Sequence, residues 1–468
     1  MLDWRIIQGG MGAYISHPFL AKEVSLVSKG SALGTISGIA ADRILSRILQ
    51  KGDPGGHYRR ALAHFPFQEA VKDIVDYYFV EGGIPEGAEY KTVIPLSFKP
   101  SWRTINLFVC ASFAFVWLAK EGHDYPISIN YLEKIQMPHV YSLAGAMIAG
   151  VDCVTMGAGI PTQIPGVMDA LSRGEDAIYK VSVTNAIGGH KAILFNFGKH
   201  FGADLGTLKR PVFLPIISSN LMAKIMLTRS SGSIEGFVIE TPTAGGHNAP
   251  PREKHSEEYG GKDRVDFEKI VELGLPFWIG GSYASPAGLA EAISAGAKGI
   301  QVGSIFALSQ QSGMKDSLRR EIRRRGFLKA TGVDTNFSIR TDFRVSPTGF
   351  PFKVVELPGT LSDSAVYDNR TRYCALRYLA TPVEKDGKII YLCASEDVDQ
   401  YVRKGGKIED TVGRACLCQG LLATADLGTP GEPEIATLGD DVNFLEHLMG
   451  GPDDTYTVAD VIGYLLSA

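Results

Sequence analysis

The residues best suited to chemistry lie in the segment ETPTAGGHNAPPRE, which begins at Glu240. The apolar run FVI precedes it, so we expect a buried strand to end here, followed by the pair Gly245 and Gly246 and then by His247. An imidazole titrates near pH ~6.5 and can accept or donate a proton at neutral pH. His247 is therefore our candidate catalytic base. The alternative is a histidine that only caps a loop.

Glycines also stand at the ends of three other apolar runs. Backbone without a Cβ atom lets a planar or phosphorylated ligand approach closely. In a barrel, the loops after the seventh and eighth strands usually hold a phosphate. The pattern therefore favours a phosphate-bearing cofactor, although each glycine alone could simply serve a turn. The residues concerned are Gly9 and Gly10, Gly280 and Gly281, and Gly303 followed by Ser304.

Four of the six cysteines fall in the last third of the chain: Cys374, Cys393, Cys416 and Cys418. A hairpin turn signal, Asp-Gly, separates the first two and would bring them toward one end of a hairpin. Four thiolates can hold tetrahedral zinc or an iron–sulfur cluster, which makes this a candidate metal site. Their C-x-C spacing differs from the usual zinc knuckle, and unliganded core thiols are the alternative.

Eight short apolar runs alternate with helical patterns and must position these groups. Continuous apolarity rich in β-branched and aromatic residues is typical of strands buried on both faces. Eight strand–helix units predict an α/β fold, a (β/α)8 TIM barrel, over residues 1–330; an open doubly wound sheet is the alternative. The runs are WRIIQGG, ALGTISG, PISINY, VDCVTMGAG, VFLPIISS, GFVIETP, PFWIGGS and GIQVGSIFA.

Three stretches depart from the strand–helix repeat. Residues 41–124 exceed one crossover and predict a helical insertion, whose apolar stretch INLFVCASFAFVWLA reads as a buried core helix. Residues 177–197 predict a hairpin with two glycines in its turn. Residues 331–468 are rich in turns and predict a C-terminal extension, either a separate lobe or a cover.

Composition narrows the classes of partner. The formal net charge of −4 offers no basic surplus, so we expect no nucleic-acid partner, and we interpret the basic run SLRREIRRR as a solvated face. The longest apolar stretch is shorter than the ~20 residues of a spanning helix, and no targeting segment stands at the N-terminus, so we expect no membrane partner. Six cysteines do not suggest a disulfide scaffold; we expect a cytoplasmic protein.

The motifs IQGGMG, LGTISG, ETPTAGGH, IGGSYAS and QVGSIFA together resemble the nitronate monooxygenase (2-nitropropane dioxygenase) family, whose superfamily includes flavin-type enoyl-acyl-carrier-protein reductases. The resemblance spans residues 4–310 and implies FMN bound non-covalently in a TIM barrel. It implies a catalytic His247 and contacts to the cofactor from the strand ends. The residues it assigns to the cofactor are Gly9, Gly10 and Met11 at the ring edge, Asn130 near the flavin, Glu240 at the ribityl chain, Gly245 and Gly246 beside the histidine, and Gly280, Gly281, Gly303 and Ser304 at the phosphate.

The sequence departs from the family pattern in the long insertion, in NAPPRE after the histidine and in the C-terminal extension. These departures leave the identity of the substrate open. The first hypothesis is oxidation of a nitronate or nitroalkane-like carbon acid with O2. The alternative is reduction of an enoyl thioester with NAD(P)H, which would make an acyl-carrier protein a partner. A binding scaffold without turnover ranks last. A homo-oligomer is compatible with all three hypotheses.

Overall fold

The computed structural model describes residues 2–203, 205–253, 256–372, 374 and 376–467. Within these residues the chain alternates strands and helices up to residue 330 and then becomes irregular. The strands, in chain order, are β1 Ile6–Gln8, β2 Ala32–Ser37, β3 Ile127–Leu132, β4 Cys153–Gly157, β5 Ala177–Ser182, β6 His190–Phe195, β7 Val212–Ile217, β8 Phe237–Glu240, β9 Phe277–Gly280, β10 Gly299–Val302, β11 Ile339–Asp342, β12 Phe352–Val355, β13 Thr381–Lys385 and β14 Lys388–Leu392.

The α-helices surround the barrel and continue into the C-terminal extension. In chain order they are α1 Pro18–Val27, α2 Ala41–Gln50, α3 His57–Leu62, α4 Gln68–Tyr78, α5 Trp102–Lys120, α6 His139–Ile148, α7 Ile164–Ser172, α8 Phe197–Phe201, α9 Asn220–Arg229, α10 Phe267–Val271, α11 Pro286–Ser294, α12 Ser304–Ala307, α13 Asp316–Ala330, α14 Ser364–Asn369, α15 Val398–Arg403, α16 Cys418–Thr424, α17 Phe444–Leu448 and α18 Val458–Leu465.

Eight strands close into a parallel barrel in the order β1-β10-β9-β8-β7-β4-β3-β2. Each of the eight apolar runs supplies one strand, so the predicted (β/α)8 TIM barrel is confirmed and the open sheet is excluded. The barrel interior is filled by a separate apolar cluster that includes Ile7, Leu33, Leu214 and Trp278. Filling the lower interior in this way leaves only the carboxyl ends of the strands open to a ligand.

The insertion and the hairpin form as expected. Helix α5 starts at the Ser101 N-cap, whose hydroxyl accepts from the Thr104 N–H. It is long and apolar enough to cross a membrane, but 78% of its most apolar window is buried inside the protein, so the prediction of a core helix is confirmed. Strands β5 and β6 pair antiparallel. Gly188 and Gly189 in their turn have φ of 76° and 71°, values that favour glycine.

The basic run forms the expected solvated face only in part: Arg320 and Arg324 are exposed, whereas two other arginines are not. Arg319 and Arg323 of α13 are buried, with 9% and 4% of their surface exposed. The Arg319 guanidinium donates to the carbonyls of Ser309, Gln310 and Ser312. The two buried arginines therefore hold the loop between α12 and α13, because a guanidinium carries enough donors to pair with several carbonyls at once.

The C-terminal extension lies against the barrel. The side chains of Leu422, Leu438 and Leu465 belong to the same apolar core as the barrel helices. Helix α18 packs on α1, α11 and α12. The Tyr456 hydroxyl donates to the Ile305 carbonyl at 2.8 Å. These contacts fix the extension over the carboxyl ends of the strands.

Candidate active site

All twelve residues that the sequence assigned to the cofactor or to catalysis line one cavity at the carboxyl ends of the barrel strands. The cavity holds about 1490 Å³ of empty space that is continuous with solvent. Parallel strands end on the same face of a barrel, and this brings together residues distant in sequence. These residues are Gly9, Gly10, Met11, Asn130, Glu240, Gly245, Gly246, His247, Gly280, Gly281, Gly303 and Ser304.

Two glycines are required by close approach. A Cβ atom on Gly10 would lie 2.3 Å from the Cβ of Asn130, and one on Gly281 would lie 2.1 Å from Oγ1 of Thr241. Gly281 also has φ of 107°, a conformation that other residues rarely adopt. Any larger residue at these two positions would therefore displace the cavity wall.

Asn130 has one defined hydrogen-bonding orientation. The Thr155 hydroxyl donates to Oδ1 of Asn130 at 2.8 Å. The Nδ2 group is then left as a donor beside Gly10, at the edge of the cavity. A fixed amide donor of this kind suits a planar ring that carries carbonyl and nitrogen acceptors.

The predicted phosphate end of the cavity is partly formed by the extension. Ser304 Oγ accepts a hydrogen bond from the Gly439 N–H at 2.8 Å. A Cβ atom on Gly245 would lie 2.7 Å from the same Gly439 nitrogen. A Cβ atom on Gly303 would meet only Met11, at 3.3 Å from its sulfur. The segment around Gly439 therefore closes the end of the cavity where the phosphate was expected.

Glu240 and His247 are both half-buried, and both have perturbed pKa values. Burial raises the pKa of Glu240 to about 8, an effect that the nearby Lys134 opposes. Burial, together with the charge of Lys134, lowers the pKa of His247 to about 3. His247 is consequently neutral across the physiological range, which makes it a weak base and leaves it an N–H donor.

The backbone around His247, and not its ring, makes the hydrogen-bonded contact that fixes the residue. Its main chain forms an antiparallel bridge with Phe352 of β12, and the two rings lie 6.1 Å apart. The Nε2 atom is buried and has no hydrogen-bond partner among the residues that the structure describes. A buried ring nitrogen without a partner is costly unless a ligand supplies one, so its orphan state fits a ligand-binding role.

Three further polar side chains could be mistaken for parts of the site. Arg252 is exposed, and its guanidinium donates to the carbonyls of Lys262 and Ser218. His139 is buried, and its Nε2 pairs with the Glu133 carbonyl at 3.0 Å, which is a structural role. His190 is exposed on the β5–β6 hairpin.

The four cysteines of the extension do not form a metal site. Among the described residues, no group of three or more His, Cys, Asp or Glu side chains could hold a metal ion. Cys374 instead forms a hydrogen bond with Cys393, which lowers the pKa of the Cys374 thiol to about 6. Nη2 of Arg370 donates to the backbone carbonyl of Cys416 at 3.2 Å. The four thiols act on one another electrostatically and so share one neighbourhood, but the prediction of zinc or an iron–sulfur cluster at Cys374, Cys393, Cys416 and Cys418 gains no metal-binding group among the described residues.

Sequence reasoning missed two parts of the site. The first is the wall formed by the extension, for which no motif gives a signal. Its lining residues are Phe352, Leu417, Leu421, Thr437, Leu438, Gly439, Asp441 and Phe444. The second is Lys134, two residues beyond the end of β3, which does not itself line the cavity but acts electrostatically on Glu240 and His247, which do. Its place after a barrel strand was the available signal, since this face carries the functional residues of such barrels.

Comparisons with known proteins give only distant similarities. No family model matches the chain, and no curated protein matches it. Three solved structures cover 99% of the chain. FabK from Thermotoga maritima has 14% identity and a TM-score of 0.47 over 92% of its own length. Nitroalkane oxidase from Streptomyces ansochromogenes has 12% identity and a TM-score of 0.43 over 95% of its own length. The enoyl reductase domain of MlnA from Bacillus amyloliquefaciens has 12% identity and a TM-score of 0.46 over 94% of its own length. At these values the similarity carries no assignment of activity.

Proposed function

We propose that the chain is an FMN-dependent oxidoreductase that reduces the carbon–carbon double bond of an enoyl thioester. The cofactor part rests on the cavity itself. Glycines at four strand ends leave room that any side chain would fill, and Asn130 presents an oriented donor beside them. Gln301 Nε2 and His247 Nε2 are buried without partners among the described residues, and both residues line the cavity. A flavin offers acceptors for such donors.

The choice of reaction rests on the surroundings of His247, which leave its Nε2 atom buried without a hydrogen-bond partner among the described residues and are expected to keep the ring neutral. A nitroalkane must lose a proton from carbon, and an imidazole with a pKa of about 3 is poorly suited to take it. A neutral imidazole is instead suited to donate a hydrogen bond to the carbonyl oxygen of a thioester, where negative charge develops as the double bond is reduced. This reverses the order in which the sequence motifs alone placed the two reactions.

The chain's own residues would then share the work. The strand-end glycines admit the cofactor, which when bound supplies hydride transfer. Asn130 and Glu240 orient it, and His247 donates to the carbonyl oxygen of the substrate. The apolar side chains of Leu417 and Phe444 exclude water from the reacting atoms. The proposal includes NAD(P)H as reductant, an acyl-carrier protein as the carrier of the thioester, and a cytoplasmic location.

Oxidation of a nitronate with O2 is the second candidate. The observation that favours it is the buried amine of Lys134, which has no hydrogen-bond acceptor among the described residues and would become charged beside an anionic nitronate, a substrate that needs no base. This candidate needs a pre-formed nitronate and predicts little activity with the neutral nitroalkane.

The two reactions are separated by following the bleaching of bound flavin without oxygen. The purified protein is expected to be yellow and to release FMN, and not FAD, on denaturation. NAD(P)H is expected to bleach it quickly, and an enoyl thioester to restore the colour. Bleaching by a nitronate but not by NAD(P)H would reverse the order of the candidates. A colourless protein that takes up no added FMN would refute the cofactor.

A further inference from the structure

Lys134 is a buried amine without a hydrogen-bonding partner. It stands two residues past the end of β3, at the same end of the barrel as the cavity. Its Nζ atom is buried and has no hydrogen-bond acceptor among the residues that the structure describes. The Nζ atom lies over the ring of Phe350, from the extension, at 2.7 Å from the ring centroid. Burying an ammonium in such surroundings is costly, so the residue calls for a functional account.

The ionisable groups around Lys134 come from three elements. Glu133 precedes it in the chain, Glu240 ends β8, and His247 follows the glycine pair. The Glu133 carboxylate is already engaged, since it accepts from Tyr179 at 3.2 Å and from Gln136 at 3.1 Å. The Glu240 carboxyl accepts no hydrogen bond from a described residue, and it lines the cavity together with His247.

Burial and charge act in opposite directions on this group. Burial lowers the pKa of Lys134 to about 6, although Glu240 and Glu133 oppose the shift. Burial also raises the pKa of Glu240 to about 8. With no anion in the cavity, the amine and the carboxyl together hold about one proton near neutral pH. An added negative charge nearby would favour the ammonium and draw in a second proton.

We propose that Lys134 is a positioning residue that responds to anions: when a ligand brings negative charge into the cavity, its amine takes up a proton from solvent and stabilises that charge beside Glu240 and His247. The inference rests on the proposed function to the extent that the ligand is a flavin or its substrate. It adds a third ionisable group to Glu240 and His247, the two that the sequence indicated. It also accounts for a buried amine that has no hydrogen-bond acceptor among the described residues.

The alternative is that Lys134 only packs its stem and rests its amine on Phe350. Lys134→Met separates the two roles, because methionine keeps the apolar stem and removes the amine. Lys134→Arg keeps the positive charge. The matched control is Lys224→Met on α9, which removes a lysine that is exposed to solvent. Unchanged thermal unfolding midpoints establish that the variants fold.

The probe is sulfite, titrated into the FMN-loaded protein and followed by loss of visible absorbance, because its addition to a flavin puts an extra negative charge on the ring. Lys134→Met is expected to weaken sulfite binding about tenfold or more at pH 7, the ratio expected for the loss of one nearby charge. Lys134→Arg and Lys224→Met are expected to change it less than about threefold. Equal sulfite affinity in Lys134→Met and in the unaltered protein overturns the proposal.

A second measurement does not need the cofactor. Titration of the lysine side-chain amines by NMR, in protein without flavin, is expected to show one resonance with a strongly lowered pKa that disappears in Lys134→Met. An ordinary pKa for that resonance overturns the proposal. A protein that binds no FMN refutes the proposed function alone, while the NMR titration still decides the role of Lys134.

Discussion

His247 is expected to act as a neutral donor, and this gives a sharp prediction about pH. An imidazole with a pKa of about 3 is only about 1% protonated at pH 5, whereas one with an ordinary pKa near 6.5 is about 97% protonated there. The ionisation of His247 should therefore leave kcat/KM for an enoyl thioester unchanged between pH 5 and 8. A base or acid with an ordinary pKa would impose an inflection near pH 6.5.

Substitution separates donation of a hydrogen bond from transfer of a proton. Loss of one hydrogen-bond donor to a developing oxyanion lowers kcat by a factor of about 10²–10³, so the kcat of His247→Ala should be lower by that factor. His247→Gln places an amide N–H near the same position and should recover at least part of the loss, because a neutral donor does not need to titrate. FMN should remain bound in both variants, since the predicted phosphate contacts come from other strands.

The assay is steady-state turnover from pH 5 to 8, paired with an NMR titration of the histidine resonances. One resonance that stays neutral down to about pH 4, and is absent in His247→Gln, identifies the residue. The reasoning is refuted by an inflection near pH 6.5 in the unaltered enzyme that disappears in His247→Gln. Equal loss of activity in the Gln and Ala variants also refutes the donor role.

Three further outcomes follow from contacts already described. Gly10→Ala should weaken FMN binding at least about tenfold, because its Cβ would lie 2.3 Å from the Cβ of Asn130; fluorescence titration with FMN measures it. At pH 7 Cys374 should react with iodoacetamide faster than the other extension cysteines, because the hydrogen bond from Cys393 holds the pKa of Cys374 near 6. Cys393→Ala should slow the alkylation of Cys374, and mass spectrometry of the alkylated peptides measures the rate. Burial lowers the pKa of His139 to about 4, so as pH falls the unfolded chain takes up a proton on this imidazole before the folded chain does. The free energy of unfolding should therefore fall as pH drops below about 6.5, by about 2 kcal/mol at pH 5. His139→Gln should flatten this dependence on pH in denaturant titrations.

Each of these outcomes has its own control. Gly463→Ala adds a Cβ atom in α18 where nothing lies within 4 Å, and it should leave FMN binding unchanged. Alkylation of Cys374 at an unaltered rate in Cys393→Ala would contradict the hydrogen-bond explanation. His64→Gln, at an exposed position, should leave the pH slope as it was, and an equal flattening there would contradict the burial argument.

The sequence predicted the barrel and its glycine-lined face well, for a physical reason. Strands buried on both faces must be continuously apolar, so runs such as VFLPIISS identify themselves without knowledge of their neighbours. Once eight parallel strands are placed, their carboxyl ends must share one face, and Gly9, Gly280 and Gly303 come together there. Both steps depend only on local pattern and on topology.

What the sequence did not predict depends on distant contacts. The environment of Lys134 is made by Phe350 and Glu240, which are far from it along the chain. The lowered pKa of His247 comes from desolvation of its ring beside β12 and from Lys134, so a sequence can supply the imidazole but not its pKa. The division of the chain at residue 330 into two units stays a prediction.

The contact between Ser304 and Gly439 has a consequence for how the protein is made. Synthesis proceeds from the N-terminus, and β10, the last barrel strand, ends at Val302, well before the segment around Leu438 and Gly439 that closes the cavity. The chain can thus offer its glycine-lined face to a cofactor during translation, before the ribosome has delivered the closing segment. Under the proposed function, a cofactor that arrives later would meet a cavity whose phosphate end the hydrogen bond between Gly439 and Ser304 already closes. Loading would then depend on the timing of cofactor supply as well as on affinity.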